Sequence, residues 1–227
     1  MLNYFLKGKG NFTICEDSLS SSVFDMLKYL PTEMFWRILK QSLYYDKLPR
    51  FCGELVKMSF WEKWSAVNTN NTNFVEPDIF IEFEDFDIII EAKRYNESQQ
   101  SAVQHKNQIQ AYKNEYGNNE KKLYYIQLGG LHNLNDDNCY DEHGDVEICK
   151  TDWSRILNQV VSEKAMCANL NLSHVNSYTR ILDDLIVYFE FHGYFKKYWL
   201  QDMYLGTKID YNINSLEYLF SYATKSK

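Results

Sequence analysis

Three residues in the stretch EPDIFIEFEDFDIIIEAKR (76–94) are of the types that phosphate chemistry uses: two carboxylates, Asp78 and Glu91, and an ammonium, Lys93. Side chains of a strand alternate between faces, so Asp78, Phe80 and Glu82 share one face of a first strand, and Asp87, Ile89, Glu91 and Lys93 share one face of a second. A hairpin centred between Glu84 and Asp85 pairs Phe83 with Phe86 and sets Asp78 opposite Glu91. Directly opposed residues have Cβ atoms about 4.5–5.5 Å apart, close enough for two carboxylates to share one ion. A one-residue slip would separate them across the sheet. Two acids this close on a half-buried surface repel each other, and one keeps a proton unless a cation stands between them. Oxygen-only donors suit Mg²⁺, with Mn²⁺ as a substitute, over zinc. Lys93 on the same face adds a positive charge beside a bound phosphate. The chemistry such a group could perform is phosphodiester hydrolysis, with the metal polarising the phosphoryl oxygen and lysine orienting the attacking water. Acids on a solvated strand face are the competing explanation. The conjunction of Pro77-Asp78, an intervening turn and Glu91-Ala92-Lys93 after three isoleucines weighs against it.

The flanking elements must hold this hairpin. Leu19, Val23, Met26, Leu27 and Leu30 recur at helical spacing and predict a helix over 14–30, stopped by Pro31; a second helix is expected over 33–45. Val56, Met58 and Phe60 alternate with polar residues and predict a strand within 54–67, followed by an Asn-rich loop at 68–73. Strands at 78–83 and 86–92 precede a long helix at about 98–116. KKLYYIQLGG (121–130) reads as a buried strand ending in a Gly-Gly turn. Residues 132–145 form an acidic loop, and Val146–Cys149 a short strand. Thr151 is the expected N-cap of a helix over 152–161. Further helices are expected near 176–192 and 213–224. This order predicts an α/β protein, a mixed sheet flanked by helices, with a core over 1–164 and an all-helical C-terminal extension over 165–227 packed on that core.

Residues 77–93, PD followed by EAK, resemble the signature of the PD-(D/E)XK nuclease superfamily, and the element order over 14 to about 150 is similar to its restriction-endonuclease-like fold. The resemblance implies Mg²⁺ held by Asp78 and Glu91, with the Ala92 carbonyl, and DNA cleaved to leave a 5′-phosphate in restriction, anti-phage defence or DNA processing. Gln108 and Tyr112 are similar to the Gln-x-x-x-Tyr motif of RecB-like branches. Gln108 is then a contact to Lys93 or to a DNA phosphate; on spacing alone, a Gln satisfied by sheet-edge backbone and a core Tyr serve equally. Glu16, on the inward stripe of the first helix, corresponds to an additional metal-site glutamate and ranks ahead of Asp17, Glu54 and Glu62. Alternatively, Thr13-Ile14-Cys15-Glu16 fits a capping box in which Glu16 only satisfies backbone amides.

The chain has 227 residues, 45% hydrophobic with 18 Tyr and 14 Phe, enough for a substantial core. A net charge of −7 and a pI of about 5.3 exclude gripping nucleic acid by bulk electrostatics, so contacts to DNA must be local. Target choice is therefore expected from a homodimer or a partner subunit. Five scattered cysteines without Cys-x-x-Cys or zinc-ligand spacing predict free thiols and no structural zinc. His143, His174 and His192 have no neighbours that would make a nucleophilic triad. With no apolar run of membrane-spanning length and no signal peptide, the expectation is a cytoplasmic protein with no membrane association. The alternative function is a non-catalytic nucleic-acid-binding or assembly subunit that keeps the fold.

Overall fold

The β-rich middle of the chain builds a five-stranded sheet because its strands alternate in a way that lets both faces be covered. The strands are β1 (Leu55–Phe60), β4 (Ile79–Phe83), β5 (Phe86–Ala92), β6 (Lys122–Leu128) and β7 (Val146–Thr151), in the spatial order β1-β4-β5-β6-β7. Two residues at a time, β2 (Trp64–Ser65) and β3 (Phe74–Val75) pair as a separate small ribbon. A computed structural model describes residues 9–11, 13–95, 99–117, 120–135, 146–168 and 175–196. The expected helix at 213–224, most of the acidic loop, Cys139, His143 and His174 lie outside these residues.

The β1–β4 and β4–β5 pairs are antiparallel, whereas β5–β6 and β6–β7 are parallel. The parallel step from β5 to β6 is crossed by helix α3 (Ala102–Tyr116). In β4–β5, Ile79 pairs with Ile90, Phe80 with Ile89 and Ile81 with Ile88. That is the expected register, and one step further it sets Asp78 opposite Glu91.

One face of the sheet presents Ile79, Ile81 and Phe83, then Ile88, Ile90 and Ala92, then Tyr124, Ile126 and Leu128. These pack into one core with helices α1 (Glu16–Leu27), α2 (Thr32–Ser42), α4 (Trp153–Ala168) and α5 (Val175–Phe191). Arg37 of α2 donates both to Glu163 Oε1 (2.6 Å) and to Oε2 (2.8 Å) of α4, which satisfies an otherwise buried carboxylate. The opposite face carries Phe80, Ile89, Leu123, Tyr125 and Val146 under α3 and the small ribbon. Asp87 and Glu91 also lie on this α3 side, both fully buried.

Several boundaries differ from the sequence expectation for local reasons. The strand expected within 54–67 ends at Phe60, because Trp61 takes a left-handed backbone (φ 48°) that turns the chain into the ribbon. Val56, one of the alternating apolar residues from which the strand was expected, is 58% exposed beside a register shift between Leu55 and Lys57. The first helix starts at Glu16, and its capping box uses the Cys15 side chain and Ser18, with neither Thr13 nor Glu16 as the capping group. Thr151 remains in β7, its hydroxyl donating to Ser42 O (2.8 Å); Asp152 Oδ1 caps α4 by accepting from Arg155 N (2.9 Å). The division expected at 164 falls inside α4. The described residues up to Lys196 form one compact unit in which Leu182, Leu185 and Phe189 of α5 belong to the main core, so α5 is part of the core layer.

The Gly-Gly turn after β6 touches the candidate site directly. Both glycines are left-handed (φ 71° at Gly129 and 59° at Gly130); a Cβ on Gly129 would collide with the Lys93 carbonyl oxygen, and one on Gly130 would stand 2.7 Å from Lys93 Cβ. Substituting Gly129→Ala is expected to lower unfolding free energy by roughly 2–4 kcal/mol, from backbone strain plus that collision. Urea unfolding of the two proteins measures this; an unchanged midpoint would show that the turn has slack.

Candidate active site

The site lies where β5 ends and β4 begins. Asp78 immediately precedes β4, and its Oδ2 accepts from the Ala92 backbone N–H (2.8 Å), which ties it across the hairpin to the residue after Glu91. Burial and the neighbouring Glu91 charge push the Asp78 carboxyl up to about 8, against the opposing effects of the Ala92 N–H and Lys93. Glu91 is also raised, by burial first, but Lys93 and the Gln108 amide oppose the shift. Of the two, Glu91 has the cationic partner and the amide donors. The proton of the pair therefore rests on Asp78.

Lys93 continues the face of Glu91 beyond the strand end. Its backbone is pinned on both sides: the N–H donates to Leu128 O (2.7 Å), and the carbonyl accepts from Trp153 Nε1 (2.9 Å). Its ammonium reaches Glu91 Oε1 (2.5 Å) and Glu16 Oε1 (3.1 Å). Burial acts to lower the Lys93 pKa, but the surrounding Glu91, Asp78 and Glu16 carboxylates prevail and raise it. Lys93 is thus a permanent cation. Glu16 spends its second oxygen on the Arg94 N–H (3.0 Å). Arg94 in turn is held by Ile14 O, which accepts from Nη1 (3.1 Å), and by the Tyr194 hydroxyl, which donates to Arg94 O.

The α3 side supplies amides. Gln104 Nε2 donates to Glu91 Oε1 (2.7 Å) and Gln108 Nε2 to Glu91 Oε2 (2.7 Å), while Gln108 Oε1 accepts from the buried Tyr125 hydroxyl (2.5 Å). Behind them, Gln100 Nε2 donates to the carbonyls of Glu91 (3.1 Å) and Gly129 (2.9 Å). Gln100 Oε1 must then accept from His105 Nε2–H (2.9 Å), leaving Nδ1 as the acceptor for Gln127 Nε2 (3.2 Å). His105 is therefore a neutral imidazole of fixed tautomer, and burial pulls its pKa down to about 4.

The geometry sorts the expected site residues. Asp78, Glu91, Lys93 and Glu16 come together, and Ala92 contributes its N–H to Asp78. Glu16 stands beside the acid pair, close enough for its charge to act on both Asp78 and Glu91, and its two oxygens accept from the Lys93 ammonium and the Arg94 N–H. Gln108 contacts Glu91 where Lys93 or a phosphate was expected. Tyr112 is not in the group. Its hydroxyl donates to Asp87 Oδ2 (2.8 Å), four residues back along β5, or roughly 13 Å at the strand rise. There Lys121 also reaches Asp87 (3.5 Å) and Glu82 (3.1 Å), so this second pair of acids is already neutralised. Gln104, Gln100 and His105 were not singled out from sequence. Part of the signal was present in the spacing of Gln104 and Gln108, one helical turn apart; Gln100 precedes the helix and had none.

Asp78 and Glu91 fit a hard divalent cation: they are oxygen donors, they repel each other, and a dication would take the place of the Asp78 proton. Among the described residues, no group of three or more His, Cys, Asp and Glu is arranged to hold a metal, because the third acid has turned to Lys93.

No protein-family model matches the chain, and no solved structure matches it. Over 118 residues it is 36% identical to an uncharacterised protein of Pasteurella multocida, a match covering 51% of this chain and 43% of that protein. The chain thus spans less than half the length of this relative. Among the described residues no helix is long and apolar enough to cross a membrane.

His105 makes the site's framework acid-sensitive. Its folded pKa (about 4) lies below the ordinary 6.5, so its contribution to stability is intact above about pH 6.5 and is lost as the pH falls toward 4. Between about pH 7 and pH 4.5 the wild type should lose roughly 2–3 kcal/mol more unfolding free energy than His105→Gln. Urea titrations at the two pH values measure the difference; parallel losses would mean that His105 is not held neutral.

Proposed function

We propose that this chain is a Mg²⁺-dependent deoxyribonuclease of the restriction-endonuclease-like fold, serving defence against phage or DNA processing. The observation that carries the reading is the opposition of Asp78 and Glu91 across the β4–β5 hairpin, with the Lys93 ammonium 2.5 Å from Glu91. The mixed sheet with two antiparallel steps, a crossing helix and a parallel step is consistent with that fold.

Asp78 and Glu91 would hold the cation, with Mn²⁺ able to substitute, and Glu16 remains the partner of Lys93. A bound Mg²⁺ would supply Lewis acidity toward a phosphoryl oxygen and a bound water of lowered pKa. Lys93, protonated across the working range, cannot act as a base. It orients the attacking water and offsets the charge that develops on the phosphoryl oxygens. Gln104 and Gln108 fix the Glu91 carboxylate, so its oxygens are aimed before substrate arrives. Target choice by a second copy or a partner subunit follows from the acidic net charge.

The ion pair between Lys93 and Glu91 favours a second reading, a binding subunit that needs no metal. Incubating linear and circular DNA with Mg²⁺ separates the two. Wild type is expected to cleave, EDTA to stop it, and Lys93→Ala and Asp78→Asn each to lower the rate about 100-fold or more while circular dichroism stays unchanged. Glu16→Gln, acting through Lys93, should cost about tenfold. Cleavage that persists in Lys93→Ala or in EDTA would falsify the mechanism; a mobility shift without cleavage supports the binding subunit.

A further inference from the structure

Beside Glu91 lies a groove of about 330 Å³, between the Asn-rich loop before β3 and the first turns of α3. Asn71, Glu76, Val103, Gln104, Asn107 and Gln108 line it. Gln104 and Gln108 are the same amides that grip the Glu91 carboxylate, so the groove is separated from the candidate site by the thickness of one side-chain amide. Its charged lining residue, Glu76, is paired with Lys63 (3.9 Å), and none of the lining residues is a cation. A phosphate therefore has no counter-charge in it.

What the groove offers is amide edges. A carboxylate only accepts, so the bond to Glu91 fixes which way the Gln104 amide points: the NH₂ faces Glu91, leaving Oε1 and the second N–H for the groove. Among the described residues, Gln104 Oε1 has no hydrogen-bond partner. Asn107 and Asn71 are locked together, Asn107 Nδ2 donating to Asn71 Oδ1 (3.2 Å), and Asn71 is further anchored to Phe74 O (3.1 Å). The wall is therefore rigid. Val103, 55% exposed, gives the rim an apolar surface on which a flat ring can lie.

We infer that this groove seats one unpaired nucleobase of the strand being cut, read along its edge by the Gln104 amide, and that the substrate is therefore single-stranded or locally unpaired DNA. An acceptor and a donor on one side-chain amide match the N6 and N7 edge of adenine. That edge is also open in the major groove of a duplex, so the case for an unpaired base rests on the back wall of the groove, the buried Asn107 and Gln108, which a base reaches by leaving the stack. Recognition by a neutral groove also fits a chain of net charge −7, which cannot rely on counterion release. The inference rests on the nuclease reading for the identity of the strand, and the test keeps the two apart.

Binding is measured by fluorescence anisotropy in a Lys93→Ala background, without added metal, on short homopolymers of dA, dC and dT and on a duplex. The dA strand is expected to bind about tenfold tighter than the duplex and tighter than dC or dT, and Val103→Trp, which fills the groove from its exposed rim, should erase that advantage. Asn71→Ala is the second variant and should weaken the preference by loosening the wall. Equal affinity for strand and duplex, or a dA preference that Val103→Trp leaves intact, overturns the base site. Mg²⁺-dependent cleavage by the wild type is scored separately. Cleavage with no groove effect sinks this inference alone; dA preference with no cleavage sinks the nuclease reading alone.

Discussion

The constraint on which the rest depends is the repulsion between two carboxylates that the β4–β5 hairpin forces together. Asp78 and Glu91 cannot both be ionised without a cation between or beside them. In this structure the Lys93 ammonium supplies part of that compensation and a proton on Asp78 supplies the rest. Much of the neighbouring architecture maintains this balance. Leu128 and Trp153 hold the lysine backbone from two different elements, Gly130 leaves room for its stem, and Glu16 draws its ammonium from the far side. The α3 glutamines meanwhile saturate Glu91 with N–H donors.

The same sheet face shows what an acid looks like when it is only structural. Asp87 is as buried as Glu91, yet it is satisfied by the Tyr112 hydroxyl and by Lys121, which also reaches Glu82 and the Phe83 carbonyl. Nothing at that end is left without compensation. At the other end Asp78 has one backbone donor and carries a carboxyl that holds its proton into the neutral range. Asp87 and Glu91 sit on one strand, and their neighbours from α3 and from the strand termini tell them apart.

That contrast also explains how far the sequence could be read. The hairpin register was legible, because strand alternation and a short turn leave little freedom once the centre of the turn is placed. The helix–strand order was legible from periodicity. Glu16 and Tyr112 were not. Each has the right residue type at a plausible spacing, but its role depends on which carboxylate or cation another element brings to it, and the sequence does not encode that locally. Tyr112 follows Gln108 by one helical turn, yet Gln108 meets Glu91 and Tyr112 meets Asp87 at the other end of β5. Helix α5 packs on the core as expected of the extension, but that its apolar side chains belong to the main core was not legible, for a related reason. An amphipathic helix shows that it covers something, and its main partners here are the helices α1 and α4, which the sequence does not name locally.

The ring of groups around Glu91 has a consequence for proton traffic. Lys93, Gln104 and Gln108 all present N–H bonds to it; amides neither take up nor release protons in the working pH range, and the lysine holds its own tightly. Behind them, the Gln127–His105–Gln100 chain runs in a single donor-to-acceptor direction and ends on backbone carbonyls. The protein interior on the α3 side is therefore a dead end for a migrating proton. Any proton released at this site must leave through Asp78 or directly to solvent.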